Sequence, residues 1–312
     1  MINNNLVSIA MATYNGEKYL KEQLDSIYNQ TYKNIEVIVC DDCSSDKTID
    51  ILEKYSQHYG LKYLVNQSNL GFKKNFEKVI GLCKGEYILL SDQDDLWVEE
   101  KIEILLENIS NYSLVHSACS LIDENTKEIS PLWVKEDDFT YTFEKFIFGN
   151  TVTGCTVLFK RELLRYAFPI PSGEMYHDWW LALLATKMNG IVYCDDILVK
   201  YRQHTGQNTG IDDNTFKKKI IRFYDNLISK KNSERYKGAM IQTKRLNSFI
   251  NERKEIFNQE EQKIILESIE YYEKYINSFF HLKSFIISLK YSKYIYPKNL
   301  GYLKNLLKDI IG

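Results

Sequence analysis

The first hundred residues alternate between two hydrophobic patterns. Short runs of apolar residues, which are typical of buried strands, occupy residues 6–11, 35–40, 61–65 and 86–90. Between these runs, apolar residues recur at helical spacing and predict amphipathic helices over residues 16–30, 47–59 and 71–83. Strands that alternate with helices predict a mostly parallel sheet with helices on both faces, and therefore an α/β fold.

The pattern is less regular beyond residue 98. It predicts helices over 98–110, 161–167 and 177–188, strands over 112–122, 154–160 and 191–203, and an aromatic-rich connection over 131–150. The last of these strands is expected to bend at an Asp195-Asp196 turn. We therefore expect one domain over 1–212, with halves 1–110 and 111–212, followed by a helical extension over 213–312.

Polar side chains follow three of the predicted strands, at the point where each strand ends. They are Thr13-Tyr14-Asn15, Asp41-Asp42 and Asp92–Asp95. In open α/β sheets, ligands bind beyond the carboxyl ends of the strands. One such cluster would fit a simple turn, since Asn and Asp favour turns. Three at corresponding positions predict a ligand site at this edge of the sheet.

The run Asp92-Gln93-Asp94-Asp95 suggests a cation site. Neighbouring carboxylates repel each other unless a cation or a hydrogen-bond donor neutralises them. Mg²⁺ typically takes one or two protein carboxylates and completes its shell with substrate phosphates. The run therefore predicts a site for Mg²⁺ or Mn²⁺ and a diphosphate, with a solvent-exposed acidic turn as the alternative.

Charge is unevenly distributed along the 312 residues. Residues 213–312 hold 20 Lys and Arg against 11 Asp and Glu, a net charge of +9, so that residues 1–212 carry −11 of the overall −2. With 44% hydrophobic and 26% charged residues, the composition is that of an ordinary globular protein. The asymmetry predicts an acidic catalytic body and a basic extension. Because the basic residues form no nucleic-acid-binding motif, we expect no nucleic-acid partner.

The six cysteines predict neither a zinc site nor a disulfide framework. Cys40 and Cys43 have CxxC spacing, but no second pair completes a zinc site. Asp41 and Asp42 between them would raise a thiol pKa, which disfavours a redox motif. The N-terminus has no basic and apolar leader, and no apolar run reaches the length of a membrane span. We expect a cytoplasmic protein, with the inner face of the plasma membrane as a site of peripheral contact.

Four motifs together resemble family 2 glycosyltransferases, which have the GT-A fold. The matching stretches are Val7–Gly16, Asp41–Thr48, Asn69-Leu70-Gly71 and Ser91–Trp97. They cover about the first third of the chain in the family's order, with Cys43 standing where the family more often has Gly. The resemblance implies transfer of a sugar from a nucleotide diphosphate donor.

The resemblance also implies roles by position. Ala12, Thr13 and Asn15 would line the nucleotide pocket, Asp42 would accept the N3–H of uracil or thymine, and Lys74 (or Lys73) would help to hold the nucleotide. Asp92 would contact the ribose. Asp94 would ligate Mn²⁺ or Mg²⁺, with Asp95 as the second candidate ligand.

The segment His177-Asp178-Trp179-Trp180 resembles the part of these enzymes that carries the catalytic carboxylate, and Asp178 would then be the general base. A carboxylate in a partly dry cleft can take the proton of an attacking hydroxyl. One base opposite the leaving group implies inversion. From the residues alone, Asp178 would more often be a helix N-cap.

Tyr201-Arg202-Gln203-His204 resembles an element of a branch rich in rhamnosyltransferases. His204 would contact the metal or diphosphate, and Arg202 would pair with a phosphate. A purely structural role for His204 is the alternative. Gly206, Asn208 and Gly210 would form a loop that closes over the donor.

The favoured donor is therefore dTDP-rhamnose, with UDP-galactose, UDP-glucose and UDP-N-acetylhexosamines as alternatives. The acceptor would be a saccharide or lipid-linked saccharide used in bacterial cell-surface polysaccharide synthesis. Basic and aromatic residues over 217–224 and 279–296 favour contact with an anionic membrane, the alternative being a helical subdomain that packs or forms a homodimer.

Two other classes are weighed against this prediction. A nucleotidyltransferase should carry a Gly-rich basic loop after the first strand, where this chain has Thr13-Tyr14-Asn15-Gly16-Glu17. A catalytically inactive sugar-nucleotide-binding protein would lack Asp94 or Asp178, and both are present.

Overall fold

The computed structural model describes residues 5–133, 140–173, 176–205, 234–277, 286–287, 289–291 and 294. Their strands, numbered along the chain, are β1 (Val7–Thr13), β2 (Ile35–Asp41), β3 (Lys62–Val65), β4 (Tyr87–Ser91), β5 (Leu96–Trp97), β6 (Leu114–Ile122), β7 (Glu128–Trp133), β8 (Val157–Lys160) and β9 (Ile191–Arg202). The helices are α1 (Leu20–Tyr28), α2 (Thr48–Tyr59), α3 (Phe72–Leu82), α4 (Lys101–Ile109), α5 (Phe143–Phe148), α6 (Leu164–Ala167), α7 (His177–Thr186), α8 (Glu234–Arg253) and α9 (Gln259–Asn277). The predicted α/β sheet with flanking helices and C-terminal helices is confirmed.

The nine strands form one sheet in the order β3-β2-β1-β4-β8-β6-β9-β5, with β7 paired to β6. The first four strands in this order run parallel. The second half of the sheet is mixed, because β8 runs antiparallel to both β4 and β6 while β9 runs parallel to β6. β4 and β6, the two neighbours of β8, are therefore parallel to each other. As a result, β1, β2, β4, β6 and β9 all end at the same edge of the sheet.

Amphipathic stripes hold the helices on the sheet. In α1 the buried positions are Leu20, Gln23, Leu24 and Ile27, which lie on one face of a helix. α2 ends at Gly60, whose φ of +72° is the left-handed conformation that favours glycine at a helix C-terminus. The faces of β1 and β2 are almost wholly buried, as expected for central parallel strands.

Three local predictions differ from the structure. β5 and β7 were not expected, because β5 has two residues and β7 contains Pro131 and is largely exposed. Asp195 and Asp196 form no turn: the pairing of β9 with β6 skips from Cys194 to Ile197, so these aspartates lie in a β-bulge. Gly154–Thr156 is a 3₁₀ turn that leads into β8.

The chain forms two compact units. The first consists of Met1–Tyr141, Thr151–Ile170 and Tyr176–Gly210, and it contains the whole sheet. The second consists of Thr142–Asn150, Pro171–Met175 and Ile211–Gly312. In the second unit α8 packs on α9, with Leu246, Phe249 and Ile265 buried. The predicted boundary at residue 212 and the predicted loop of Gly206, Asn208 and Gly210 lie outside the described residues, so both stay predictions.

No helix within the described ranges is long and apolar enough to cross a membrane.

Candidate active site

The sheet topology explains why the predicted polar clusters converge. Thr13 at the end of β1 pairs with Asp41 at the end of β2, and Ser91 at the end of β4 pairs with Met11. β9 ends at the same edge with Arg202, and the antiparallel β8 begins there, directly after Cys155. One edge therefore collects the ends of β1, β2, β4, β6 and β9 and the start of β8.

Hydrogen bonds lock the loop after β1 to the loop after β2. Thr13 Oγ1 donates to Asp41 Oδ2 at 2.8 Å, and Ser44 donates to the same carboxylate from its backbone N (2.8 Å) and its hydroxyl (2.6 Å). Asn15, with a φ of +48°, accepts at its side-chain oxygen from Ser45 N at 2.9 Å. Asp41 and Asn15 thus fix the two loops to each other, and Ala12 lies half-buried beside Thr13.

Asp42 is buried and held by the start of α3. Its Oδ1 accepts from Leu70 N at 2.7 Å and from Asn66 Nδ2 at 2.9 Å, and its Oδ2 accepts from Gly71 N at 2.8 Å. Gly71 has a φ of +81°, a backbone conformation that requires glycine there. A carboxylate oxygen has two lone pairs, so Oδ2 keeps the capacity to accept one further hydrogen bond.

Lys74 lies exposed one turn after Gly71. Lys73 contacts the Tyr176 ring, with Nζ 5.3 Å from its centroid.

The end of β4 carries a cluster of potential metal ligands. Oxygens of Asp92 and Asp95 and the sulfur of Cys155 lie within 4.8 Å of one another. Asp95 is only 1% exposed, its Oδ1 accepts from Arg202 N at 3.0 Å, and its Oδ2 has no hydrogen-bond partner within the described part of the chain. A buried carboxylate oxygen without a donor is costly unless it is protonated or faces a cation.

The pKa values of this cluster reflect the same repulsion. Burial and the neighbouring Asp94 raise the pKa of Asp95 to about 7. Burial, followed by the charges of Asp95, Asp94 and Asp178, holds the pKa of Asp92 well above its ordinary value. The set of carboxylates therefore fits Mn²⁺ or Mg²⁺, hard or borderline cations that prefer oxygen ligands.

Asp94 and His204 lie together, as the sequence predicted for a shared metal site. His204 Nε2 is 2.9 Å from Asp94 Oδ2. The His204 ring also packs against Tyr19, with centroids 4.9 Å apart. Arg202 is buried beside them and donates from Nε to the Asp94 carbonyl at 2.7 Å. Its predicted contact with a phosphate stays a prediction.

Asp178 reaches the same cluster from the first turn of α7. Tyr176, not Asp178, is the N-cap residue, so the simple capping role considered above does not apply. Asp178 Oδ1 accepts from Trp179 N at 2.7 Å. The turn before β8 lies near this carboxylate, since a Cβ placed on Gly154 would be 3.8 Å from Asp178 Oδ2.

The two tryptophans have different surroundings. Trp180 is buried and donates from Nε1 to the Ala167 carbonyl at 2.7 Å, so it belongs to the core. Trp179 is partly exposed.

Two residues that the sequence reasoning missed complete the site. Gln93 bonds both ways with the Tyr14 backbone, accepting from N at 2.9 Å and donating to O at 3.1 Å. Lys101 is fully buried, donates to the Cys155 carbonyl at 2.7 Å and lies 3.4 Å from the Trp97 ring centroid. Lys101 lies at a position on the apolar face of α4, and this pattern is the sequence signal that could have identified it.

A family model described as "Glycosyl transferase family 2" matches residues 8–168, more than half of the chain. The chain belongs to glycosyltransferase family 2. It is a glycosyltransferase with the nucleotide-sugar donor fold that the motifs of its first third predicted.

Two relatives are bacterial enzymes with named donors. The chain is 31% identical to the UDP-Glc:alpha-D-GlcNAc-diphosphoundecaprenol beta-1,3-glucosyltransferase WfgD of Escherichia coli, over 68% of this chain and 81% of that one. It is also 31% identical to the dTDP-rhamnosyl transferase RfbG of Shigella flexneri, over 64% of this chain and 73% of that one.

A solved structure supports the fold. The mannosyltransferase PcManGT from Pyrobaculum calidifontis, in complex with GDP-Man and Mn²⁺, superposes with a TM-score of 0.53 at 15% identity, covering 98% of this chain and 84% of that one.

Proposed function

We propose that this glycosyltransferase moves a sugar, with inversion, from a nucleotide diphosphate donor to a hydroxyl of a saccharide or lipid-linked saccharide. One observation carries the proposal: Asp178 lies beside Gly154, the residue before Cys155, whose sulfur is within 4.8 Å of oxygens of Asp92 and Asp95. A carboxylate from a separate helix thus faces the site where a metal-bound diphosphate would sit.

Donor recognition is proposed for the loops after β1, β2 and β4. Asp42 would accept the N3–H of uracil or thymine at its remaining Oδ2 lone pair, because Leu70, Gly71 and Asn66 already fix the carboxylate. Ala12, Thr13 and Asn15 would line the nucleoside pocket, Asp92 would contact the ribose, and Lys74 would approach from the exposed side of α3.

Asp94, Asp95 and His204 would hold Mn²⁺ or Mg²⁺. When bound, the cation would neutralise charge that develops on the departing diphosphate. Asp95 Oδ2, which has no hydrogen-bond partner among the described residues, and the contact between His204 and Asp94 support this assignment.

Asp178 would act as the general base. The acceptor oxygen forms a bond to the anomeric carbon while the bond from that carbon to the diphosphate oxygen breaks. The acceptor proton passes to Asp178, and the electron pair leaves with the diphosphate. Attack from the side opposite the leaving group inverts the anomeric configuration.

Substitution of the two carboxylates tests these roles. Asp178→Asn should lower transfer by at least a hundredfold while leaving nucleotide binding within about twofold, since general-base catalysis contributes 10²–10⁴-fold. Asp94→Ala should remove metal-dependent turnover. Retained activity in either variant would contradict its assigned role.

The proposed donor is dTDP-rhamnose, with UDP-hexoses as the alternative. The relatives RfbG and WfgD divide between these two donor classes at equal identity. A panel of dTDP-rhamnose, UDP-glucose, UDP-galactose and UDP-GlcNAc, scored by thermal shift and by hydrolysis with Mn²⁺, decides between them. Protection by UDP-glucose without protection by dTDP-rhamnose would replace the favoured donor.

We further propose that the basic extension contacts the membrane surface that carries a lipid-linked acceptor. The full-length chain should co-sediment with anionic vesicles more than with neutral ones, because Lys217, Lys218 and Lys219 would attract anionic headgroups. Replacing these three lysines by alanine should reduce that binding. Equal binding of both proteins would favour a packed or dimer-forming subdomain instead.

A further inference from the structure

Arg202 is bound on every side by groups of the protein itself. It is 1% exposed and lies at the end of β9. Its backbone N donates to Asp95 Oδ1 at 3.0 Å, and its Nε donates to the Asp94 carbonyl at 2.7 Å. Arg202 therefore bonds to the side chain of one predicted metal ligand, Asp95, and to the backbone of another, Asp94.

The far end of the guanidinium is anchored to two other elements. Nη2 donates to Glu22 Oε2 of α1 at 2.7 Å. Nη1 donates to Thr126 Oγ1 at 3.1 Å and to the Glu124 carbonyl at 3.4 Å, both in the turn between β6 and β7. The Tyr19 ring covers the flat face, with its centroid 4.6 Å from Cζ.

These contacts occupy the atoms that a phosphate would need. Guanidinium offers five N–H donors in a fixed fork, and four of them already have acceptors in the described structure. A bidentate bond to a phosphate would require breaking the contact to Glu22 or the contacts to the β6–β7 turn.

We propose that Arg202 is a positioning residue that holds Asp94 and Asp95 in the geometry for a divalent cation, and that it does not bind the donor diphosphate directly. This inference rests on the proposed metal-dependent use of a nucleotide diphosphate.

The position explains why arginine is required at 202. Lysine keeps a positive charge but cannot bond at once to Asp94, Glu22 and Thr126, because its three donors sit on a single nitrogen. The backbone bond to Asp95 survives any substitution, whereas the bond to the Asp94 carbonyl does not.

The test separates a metal-positioning role from a phosphate-binding role. Affinities of the full-length chain for uridine, UMP and UDP (and the thymidine series) are measured by calorimetry, once with EDTA and once with Mn²⁺. The variants are Arg202→Lys and Arg202→Met, with the exposed Arg161→Lys as the matched control and circular dichroism as the folding check.

If Arg202 positions the carboxylates, both variants keep UDP affinity in EDTA within twofold of the unsubstituted chain. The factor by which Mn²⁺ increases their UDP affinity falls at least tenfold, which corresponds to about 1.4 kcal/mol. In Glu22→Gln, which removes the partner of Nη2, the same factor should fall at least twofold. In the control it should not change.

Two results would overturn the proposal. The first is a tenfold loss of UDP affinity in EDTA with uridine affinity unchanged, which marks a direct phosphate ligand. The second is an unchanged Mn²⁺-dependent gain in both Arg202→Lys and Glu22→Gln. If the unsubstituted chain binds no nucleotide, the proposed function fails, but direct Mn²⁺ binding followed by electron paramagnetic resonance still tests Arg202.

Discussion

Asp95→Asn should stabilise the metal-free protein, and increasingly so as pH rises. Burial and the charge of Asp94 raise the pKa of Asp95 from 3.8 to about 7. In the unfolded chain the group ionises near its ordinary pKa, so the folded state holds a proton that the unfolded state has released between pH 3.8 and 7. By linkage, stability falls as pH rises through this window and stays low above it.

The magnitude follows from the size of the shift. Each unit of pKa corresponds to about 1.36 kcal/mol, so the raised pKa of Asp95 lowers the stability by about 4 kcal/mol at pH 8 and by about 1 to 2 kcal/mol at pH 5. Asparagine does not titrate, keeps the oxygen that accepts from Arg202 N, and loses about 1 kcal/mol if its new N–H is unpaired. The expected gain is therefore about 3 kcal/mol at pH 8 and less than about 1 kcal/mol at pH 5.

The assay is thermal denaturation of the full-length chain in EDTA at pH 5, 6, 7 and 8. At 2–4 °C per kcal/mol, the melting temperature of Asp95→Asn should exceed that of the unsubstituted protein by roughly 6–12 °C at pH 8 and by roughly 1–2 °C at pH 5. Asp50→Asn, at an exposed carboxylate of α2, serves as the control and should show no such trend.

Mn²⁺ should reverse the order of stability, because the cation compensates the ionised carboxylates only where they are present. The reasoning is refuted if the difference in melting temperature does not change with pH, or if Asp95→Asn is the less stable protein at pH 8. Removal of an active-site charge commonly stabilises the fold at the cost of function, which here is the response to the metal.

Three further outcomes follow from single positions. Cys43→Gly should raise the free energy of unfolding by about 1 kcal/mol in denaturant titrations, because Cys43 has a φ of +67°, and an unchanged or lower value would contradict the strain. Gly16→Ala should weaken nucleotide binding at least fivefold, since its Cβ would displace the Gln93 amide from the Tyr14 backbone; unaltered affinity by calorimetry would show that this clamp is dispensable. Burial lowers the pKa of His177 to about 4, so its contribution to stability is lost as pH falls from 6.5 towards 4. His177→Leu should therefore reduce the fall of melting temperature across that range, and an equally steep fall would refute it.

Local patterns were sufficient to predict the parallel half of the sheet. β1, β2 and β4 are continuous apolar runs because both of their faces are covered, and such runs identify buried strands from the residues alone. β5 and β7 escaped prediction because two residues, or an exposed strand containing Pro131, leave no periodic signal. β5 forms by pairing with β9, which lies about a hundred residues away in the sequence, and β7 forms by pairing with the preceding β6.

The candidate residues could be chosen individually, but their partnerships could not. Asp94 and Asp178 were predicted from polar clusters and family motifs, and the resemblance placed His204 at the same metal as Asp94, yet local periodicity cannot show that residues 110 positions apart are in contact. That contact depends on β9 ending at the same edge as β4, which follows from the position of β8 between β4 and β6. Sheet order is a long-range property, so local periodicity cannot supply it.

The two acidic clusters, at the ends of β2 and β4 on either side of β1, differ in the number of hydrogen bonds that each carboxylate accepts. Asp41 accepts three hydrogen bonds and Asp42 accepts three, all from groups of the protein. Asp95, equally buried, accepts one from a backbone N–H and keeps a bare Oδ2 among the described residues.

A carboxylate that accepts several hydrogen bonds is held in place by them, whereas a buried one that accepts a single bond is unfavourable until a cation or a proton neutralises it. This difference supports the proposed roles, in which the first cluster would shape the nucleoside pocket and the second would receive positive charge. Donor count separates these roles where the sequence, which shows only two acidic turns, treats them alike.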